Sequence, residues 1–330
     1  MVTAVSRFPD LSAAPASDGA RVVRLPSEPP LTPDSPMIEL AYRCLRREYR
    51  ALLRLQRQRA ATPTPEDVHQ TRVATRRTRV VLRLFGALLP RRATTHLNKE
   101  LRWFAQTLGA VRDLDVHTEA LREHLTTAGA AAAQELSRFE LALRRDRVAA
   151  HEKLHALFVS ERYDALMACL AETLGDAPSP AALRRWRSFT IRAGVAHYLK
   201  PSRKRVVTLG GTIGSKSGVD DLHRLRIRAK RLRYALEFFV EAYPALEPAA
   251  TAAKALQDVL GTVQDARTAR GRVLAYMRSI RKRDGVGPAP DGVRAWGRAQ
   301  HRRAAEARRA LAPEWQRFLA ATELPDLAAR

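Results

Sequence analysis

The stretch that decides the fold reads Val68-His69-Gln70-Thr71-Arg72-Val73-Ala74-Thr75-Arg76-Arg77-Thr78-Arg79-Val80. Its pattern returns in Leu222-His223-Arg224-Leu225-Arg226-Ile227-Arg228-Ala229-Lys230-Arg231-Leu232-Arg233-Tyr234. Both stretches contain His-x-x-Arg-x-x-x-(Arg/Lys)-Arg-x-Arg, at an offset of 154 residues, and both run on into an apolar tail. A long-range repeat sets the architecture, so every other feature is interpreted from it.

A second element repeats in the same order. Leu108-Gly109-x-x-x-Asp113 corresponds to Leu260-Gly261-x-x-x-Asp265, at an offset of 152 residues. Two matches in one order predict an internal duplication. We expect a helix to end at each Leu-Gly pair, so that Asp113 and Asp265 either cap a helix or pair with an arginine of the repeated stretches. A pair of carboxylates for acid–base chemistry is the alternative.

The rest of the chain has the 3.6-residue periodicity of amphipathic helices, and alternating strand patterns are nearly absent, which predicts an all-α fold. A loop is expected over 201–218, with Pro201 at its start. The predicted helices span 38–59, 66–89, 94–107, about 116–127, 130–158, 162–174, 181–200, 220–243, 247–260, about 267–283 and 291–311, with 111–115 and 262–266 as connecting segments.

Composition predicts the domain limits. Residues 1–36 are rich in Pro, Ser and Ala, which is typical of a disordered leader. One domain is expected over 37–320, with tandem halves at about 37–175 and 181–320, each a bundle of about four or more helices. Residues 321–330 form a short tail.

The charge balance indicates the class of partner. The 330 residues carry a formal net charge of +24, which favours a polyanion. Cys44 and Cys169 are far apart and form no Cys-x-x-Cys, so neither a zinc ribbon nor a disulfide framework is expected. No apolar run reaches the ~18–20 residues of a membrane span, and Met1–Arg7 lacks secretory character. We therefore predict a cytoplasmic protein with no membrane partner.

The repeated stretches each place cations on one helical face, away from the apolar face. No acidic residue occurs from 68 to 92 or from 222 to 236. The cations of such a row repel one another. Successive cations are ~5 Å apart along the helix, which is comparable with the spacing of adjacent phosphates in a flexible chain. It predicts an anion site, with a solvated basic face as the alternative. The members are His69, Arg72, Arg76, Arg79 and Arg83 in the first row and His223, Arg226, Lys230 and Arg233 in the second.

The two repeated histidines allow several roles. A metal site would place a second ligand at i+3 or i+4, but Arg72 and Val73 stand there in the first copy, so no metal is predicted. A phosphoryl acceptor would need an orienting acid, and none is nearby. A hydrogen-bonding or packing role remains, as does direct phosphate contact below pH ~6.5, where histidine becomes charged.

A glycine-rich stretch, Gly210-Gly211-Thr212-Ile213-Gly214-Ser215-Lys216-Ser217, resembles a phosphate-binding P-loop. The second required glycine is replaced by Ser215, and no strand precedes the stretch. We interpret it as a flexible loop in which Lys216 can still meet an anion.

Together, the two histidine–arginine repeats and the Leu-Gly-x-x-x-Asp segments resemble the conserved histidine α-helical domain, or CHAD, over about 37–315. The resemblance implies two helical bundles related by a pseudo-twofold around a basic central groove or pore, and binding of inorganic polyphosphate, in some members on polyphosphate granules. It implies that the two rows above line the anion site. The helices before each repeat would add, less securely, Arg46, Arg50, Arg57, Lys200, Arg203 and Lys204.

The function predicted from the sequence is therefore non-enzymatic binding of inorganic polyphosphate, without a cofactor, on polyphosphate granules. The Glu-x-Glu-x-Lys motif of a triphosphate-tunnel domain is missing, which favours a stand-alone binder. The alternatives are a nucleic-acid binder, although only Tyr234 could stack on a base, and a phosphate-transfer or polyphosphate-hydrolysing enzyme, although no carboxylate cluster for a metal is visible. The oligomeric state is left open.

Overall fold

The computed structural model describes residues 29–56, 63–175, 178–214, 217–284 and 290–323. Within these ranges every regular element is a helix, which confirms the all-α prediction. A π-helical turn, Val195–Leu199, joins two of them. The helices are α1 (Met37–Gln56), α2 (Pro65–Phe85), α3 (Arg91–Leu125), α4 (Ala130–Phe158), α5 (Glu161–Leu174), α6 (Pro180–Trp186), α7 (Ile191–Gly194), α8 (Lys200–Gly210), α9 (Val219–Phe239), α10 (Glu247–Asp284) and α11 (Asp291–Ala321).

The apolar tails of the two repeats meet in the main core. The ring of Phe85, at the end of α2, lies 6.2 Å from those of Phe238 and Phe239 at the end of α9. Tyr198 packs edge-on against Phe85 at 5.5 Å. All four rings belong to, or pack against, one large apolar cluster. Its burial fixes α2 and α9 as neighbours, and so brings the two histidine–arginine stretches together.

Local hydrogen bonds fix where α2 and α9 begin. Thr64 Oγ1 accepts the Asp67 amide at 3.1 Å, and Asp67 Oδ2 accepts the Thr64 amide at 2.9 Å, which satisfies two amides that lack a helical partner. Asp221 Oδ2 likewise accepts the Gly218 amide before α9, at 3.2 Å. The acidic residues at these positions therefore cap the two helices just before the basic rows begin.

Four long helices continue beyond the main core and share a second apolar cluster. Its buried members come from α3, α4, α10 and α11. They are Leu114, Leu121, Leu136, Phe139, Leu143, Val273, Val293 and Trp296. This cluster packs a helix pair from the first half of the chain against a pair from the second half.

The predicted helix ends at Leu108-Gly109 and Leu260-Gly261 are wrong. The helices α3 and α10 run through both glycines without a break. A glycine inside a helix costs only ~1 kcal/mol relative to alanine. Completely buried Leu108 and nearly buried Leu260 lie beside these glycines, so apolar burial keeps each helix intact. A Cβ at either glycine would meet no atom within 4 Å, so no close contact demands glycine there.

Prolines misled the prediction at two further places. The expected loop over 201–218 is helical as far as Gly210, because Pro201 lies in the first turn of α8, where its missing amide does no harm. The helix expected over 181–200 is broken at 187–190, between α6 and α7, and then runs through α7 and the π-helical turn into α8. The last helix continues past residue 311 to Ala321, through exposed Pro313, with Phe318 completely buried beyond it.

The predicted leader lies mostly outside the described residues, but 29–36 belong to the structure. The amide of Ile191 donates to Ser35 O at 2.9 Å, and that of Arg192 donates to Pro33 O at 2.8 Å. The described chain therefore makes tertiary contacts before Met37. The duplication, the pseudo-twofold and the division into halves stay predictions.

Candidate anion-binding site

The two basic rows lie on the facing helices α2 and α9. Their members are half-buried, except for exposed Arg83. The side chain of Arg72 is 28% exposed and that of Arg233 is 13% exposed. We expected the rows to point away from the core, and this is only partly right, since most of the cations are half-withdrawn from water. Partial burial removes hydration from these cations, and the rows contain more cations than there are carboxylates beside them to compensate.

Lys230 shows the consequence most clearly. Its pKa falls to about 6, because burial disfavours the ammonium and the charges of Arg76, Arg226 and Arg233 repel it. Asp265 opposes the fall but does not cancel it. The positive charges of α2 and α9 therefore act on one another, and at neutral pH the free protein keeps Lys230 largely uncharged.

Arg76 is held by an aromatic residue of the other helix. Its Nη1 donates to the hydroxyl of Tyr234 at 3.1 Å. Tyr234 is 1% exposed, and the guanidinium of Arg233 lies 4.5 Å from its ring centre. Tyr234 therefore orients cations of the site and cannot stack on the base of a nucleic acid.

Arg77 stands off the basic row of α2 and pairs with carboxylates of two other helices. Its Nε donates to Glu48 at 2.8 Å, and its Nη1 donates to Glu237. Glu48 is 4% exposed and is also paired with Arg47, at 3.1 Å. Arg77 thus ties α1, α2 and α9 together.

The repeated aspartates lie beside the rows, inside continuous helices. The prediction that they cap helices is therefore wrong. The alternative, a pair with an arginine of the repeat, holds for Asp113, whose Oδ1 lies 3.7 Å from Arg72 Nη2. Asp265 acts electrostatically on Arg226 and Lys230 and favours their charged forms.

The repeated histidines face α3 and α10. His223 Nδ1 lies 2.9 Å from Gln264 Oε1, while Gln264 Nε2 is 3.5 Å from Thr268 Oγ1. With the amide oriented this way, Nδ1 donates, and Nε2 is the nitrogen that could meet a ligand. The pKa of His69 is lowered by burial and by Arg112, so it charges only below its ordinary range. The geometry supports the hydrogen-bonding role for His223.

Several cations of the site escaped the sequence analysis. Their charges act on members of the rows, on the two aspartates or, for Arg205, on Arg231. Arg112 carried a usable signal, since it directly precedes Asp113 in the second repeated element. Arg231 belongs to the second repeat, next to Lys230, and the remaining four lie outside the repeated elements. The missed residues are Arg102, Arg112, Arg205, Arg231, Arg272 and Arg303.

The six less secure cations fall into different places. Arg46 is buried on α1, Arg50 is half-buried, and Arg57 lies outside the described residues. The three cations of α8 line a pocket of about 510 Å³ together with Glu323, near the end of α11. They are Lys200, Arg203 and Lys204. On the same helix, Arg205 approaches α9, where its carbonyl accepts from Arg228 Nη1 at 3.0 Å.

The glycine-rich stretch has a packing role at its first residue. A Cβ on Gly210 would lie 2.0 Å from Trp315, so only glycine fits there. Lys216 lies outside the described residues. No described group of three or more His, Cys, Asp or Glu side chains could hold a metal ion.

In the part of the chain that the structure describes, the fold is all-α and two facing helices present half-buried rows of arginine and lysine. The chain belongs to the CHAD domain family, whose model matches residues 43–274. None of the helices in the described ranges is long and apolar enough to cross a membrane.

Known relatives and structures agree with this assignment. Two uncharacterised Mycobacterium tuberculosis proteins, MT2285 and Rv2226, are each 28% identical over 281 residues. The match covers 82% of this chain and 52% of theirs, so the chain spans about half the length of these relatives. PptA from Streptomyces chartreusis shares the fold with a TM-score of 0.65 and 20% identity, over 86% of this chain and all of that one. The CHAD domain from the plant Ricinus communis has a TM-score of 0.65 and 22% identity, over 91% of this chain and 96% of that one.

Proposed function

We propose that the protein binds inorganic polyphosphate between α2 and α9, without chemical change to the ligand, and that binding places it on polyphosphate granules. Polyphosphate binding by some members of the family supports this assignment. So does the arrangement of the cations, which come from two helices and act on one shared space. A flexible polyanion can contact both rows along its length.

The observation that carries the proposal is the electrostatic state of Lys230. A lysine with a pKa of about 6 beside Arg76, Arg226 and Arg233 marks a concentration of charge that is unfavourable in the free protein. Such an arrangement becomes favourable when a polyanion lies among the cations, because it replaces both the lost hydration and the missing counter-charges. Perturbed groups of this kind cluster at functional sites.

Nucleic acid is the competing ligand, because the net charge of +24 would attract it as well. The test is a filter-binding assay with long polyphosphate, duplex DNA and RNA at matched phosphate concentration and about 0.3 M salt. We expect polyphosphate to bind most tightly, with an affinity that falls steeply as salt rises. Equal or tighter binding of DNA would contradict the proposal, and release of phosphate during incubation would contradict its non-enzymatic part.

The pKa of Lys230 predicts the pH dependence of binding. Near polyphosphate the ammonium form is stabilised, so binding above pH ~6 requires uptake of a proton. Affinity should therefore rise as the pH falls from 8 to 6, by roughly threefold to tenfold, and this component should level off below pH 6. Calorimetric titrations in two buffers of different ionisation enthalpy would also detect the proton.

The matched variants are Lys230→Arg and Lys254→Arg. Arginine stays charged throughout this range, so Lys230→Arg should be nearly independent of pH between 8 and 6. Lys254 is 61% exposed and pairs with Asp258 on α10, so its replacement should keep the wild-type profile. Identical profiles for Lys230→Arg and the wild type would refute this assignment.

The repeated histidines should matter at lower pH. Replacing His69 and His223 by Gln should leave affinity near pH 8 almost unchanged, because Gln keeps a polar side chain at both positions and the lowered pKa of His69 leaves its imidazole neutral there. Below pH ~6 the double variant should bind less than about fivefold more weakly, the size expected for partly exposed charges. Parallel binding curves at pH 5.5 and pH 8 measure this difference. An equal loss at both values would assign the histidines to packing alone.

A further inference from the structure

Two carboxylates lie beside the cations of the site, one from each Leu-Gly-x-x-x-Asp segment. Asp113 Oδ1 is 3.7 Å from Arg72 Nη2. The charge of Asp265 acts on Arg226 and favours its protonated form. Arg72 and Arg226 each stand three residues after a repeated histidine. The same placement of a carboxylate near an arginine therefore occurs on both sides of the site.

These carboxylates are not held as the core carboxylates are. Glu48 has a side-chain exposure of 5% and accepts from Arg77 at 2.8 Å, a full hydrogen bond. Asp113 is 50% exposed, and its 3.7 Å separation from Arg72 is longer than a hydrogen bond. A loose and exposed ion pair contributes little to folding. Its carboxylate nevertheless lies where a phosphate of a ligand would approach the same arginine.

The surroundings disfavour the two charges. Partial burial raises the pKa of both Asp113 and Asp265, and each negative charge depends on nearby arginines, chiefly Arg272 for Asp113 and Arg226 for Asp265. Asp113 also repels Asp265 and raises its pKa. A site that served only to collect anions would bind more tightly without these carboxylates, so they limit its affinity.

We propose that Asp113 and Asp265 are built-in counter-ions that a polyanion must displace from Arg72 and Arg226, and that they restrain the affinity of the site, most strongly for ligands of high charge density. The inference rests on the proposed function. Polyphosphate carries a charge on every short repeat unit, so one segment neutralises several cations but also brings several negative charges close to the carboxylates. Nucleic acid spaces its phosphates more widely, so it gains less from the same cations and is repelled less by the carboxylates.

The test is the double variant Asp113→Asn/Asp265→Asn, which removes both charges and keeps the side-chain size. At a fixed salt concentration we expect it to bind long polyphosphate about tenfold more tightly and a single-stranded oligothymidylate about threefold more tightly. The preference for polyphosphate should therefore rise about threefold. Asp258→Asn is the matched control, because Asp258 is an exposed carboxylate of α10 paired with Lys254 at 3.0 Å, and its loss should change neither affinity.

Each other result overturns the inference. Affinities equal to those of Asp258→Asn would mean that the carboxylates oppose no ligand. Weaker binding of both ligands would mean that the carboxylates hold the arginines in position, and an equal gain for both would mean that their effect does not depend on the charge density of the ligand. If the double variant melts far below the wild type, the single variants Asp113→Asn and Asp265→Asn provide the test instead. Each should show about half of the change in the logarithm of the affinity. A wild-type protein that binds no polyphosphate would instead refute the proposed function itself.

Discussion

Reversing the charges of Arg76 and Lys230 should abolish polyphosphate binding without unfolding the protein. The double variant Arg76→Glu/Lys230→Glu places two carboxylates among the cations of α2 and α9, so we expect affinity to fall at least about 100-fold. The fold should tolerate the change. In the wild type Lys230 is surrounded by like charges, whereas a glutamate at this position would be attracted by Arg226 and Arg233. The change also removes the hydrogen bond from Arg76 to Tyr234, which is a single contact beside the large buried core around it.

The matched control reverses an arginine and a lysine outside the site. Arg184 on α6 and Lys153 on α4 are both exposed, so Arg184→Glu/Lys153→Glu makes the same change in net charge. We expect this control to lose less than about fivefold at 0.3 M salt, where distant charges are screened. Filter binding gives the affinities, and circular dichroism gives the melting temperatures. Equal losses in both variants would mean that binding depends only on net charge. Unfolding of Arg76→Glu/Lys230→Glu would mean that these two residues are needed for the fold.

Replacing Arg77 should have the opposite outcome, a large loss of stability. Arg77→Met leaves Glu48 and Glu237, which both lie at the junction of α1, α2 and α9, without their shared partner. Removing one partner of a buried charge network costs about 3–5 kcal/mol, which corresponds to a drop in melting temperature of roughly 5–10 °C. Urea unfolding followed by circular dichroism measures the free energy directly.

Arg72→Met is the control for Arg77→Met, since it makes the same substitution on the same helix. Arg72 faces half-exposed Asp113 at 3.7 Å, so its loss should change the free energy of unfolding by less than about 1 kcal/mol while weakening polyphosphate binding. Adding Glu48→Gln and Glu237→Gln to Arg77→Met should recover part of the stability. Equal stabilities of Arg77→Met and Arg72→Met would contradict the division between core and site.

The helical class, the two basic rows and the separate position of Arg77 follow from periodicity, because side chains three or four residues apart share a helical face. That α2 and α9 lie side by side does not follow from periodicity. It depends on the packing of Phe85 against Phe238 and Phe239, across more than 150 residues of sequence. Only the resemblance to a family implied that the rows meet.

The errors have physical causes as well. Gly109 and Gly261 were expected to end helices, but the local cost of glycine is small beside the burial of the adjacent leucines. Pro201 was expected to start a loop, yet proline fits the first turn of α8. Tertiary packing determines the half-burial of Lys230 and the approach of Arg112, Arg272 and Arg303. The residue pattern of a single helix cannot predict it.

The most direct test of polyphosphate binding between α2 and α9 is a crystal structure of the protein with a short linear polyphosphate. The account predicts consecutive phosphates between α2 and α9, within hydrogen-bond distance of Arg76, Arg226 and charged Lys230, with the Asp113 carboxylate moved away from Arg72. Phosphates bound only in the α8 pocket of Lys200, Arg203 and Lys204, with α2 and α9 unoccupied, would contradict it.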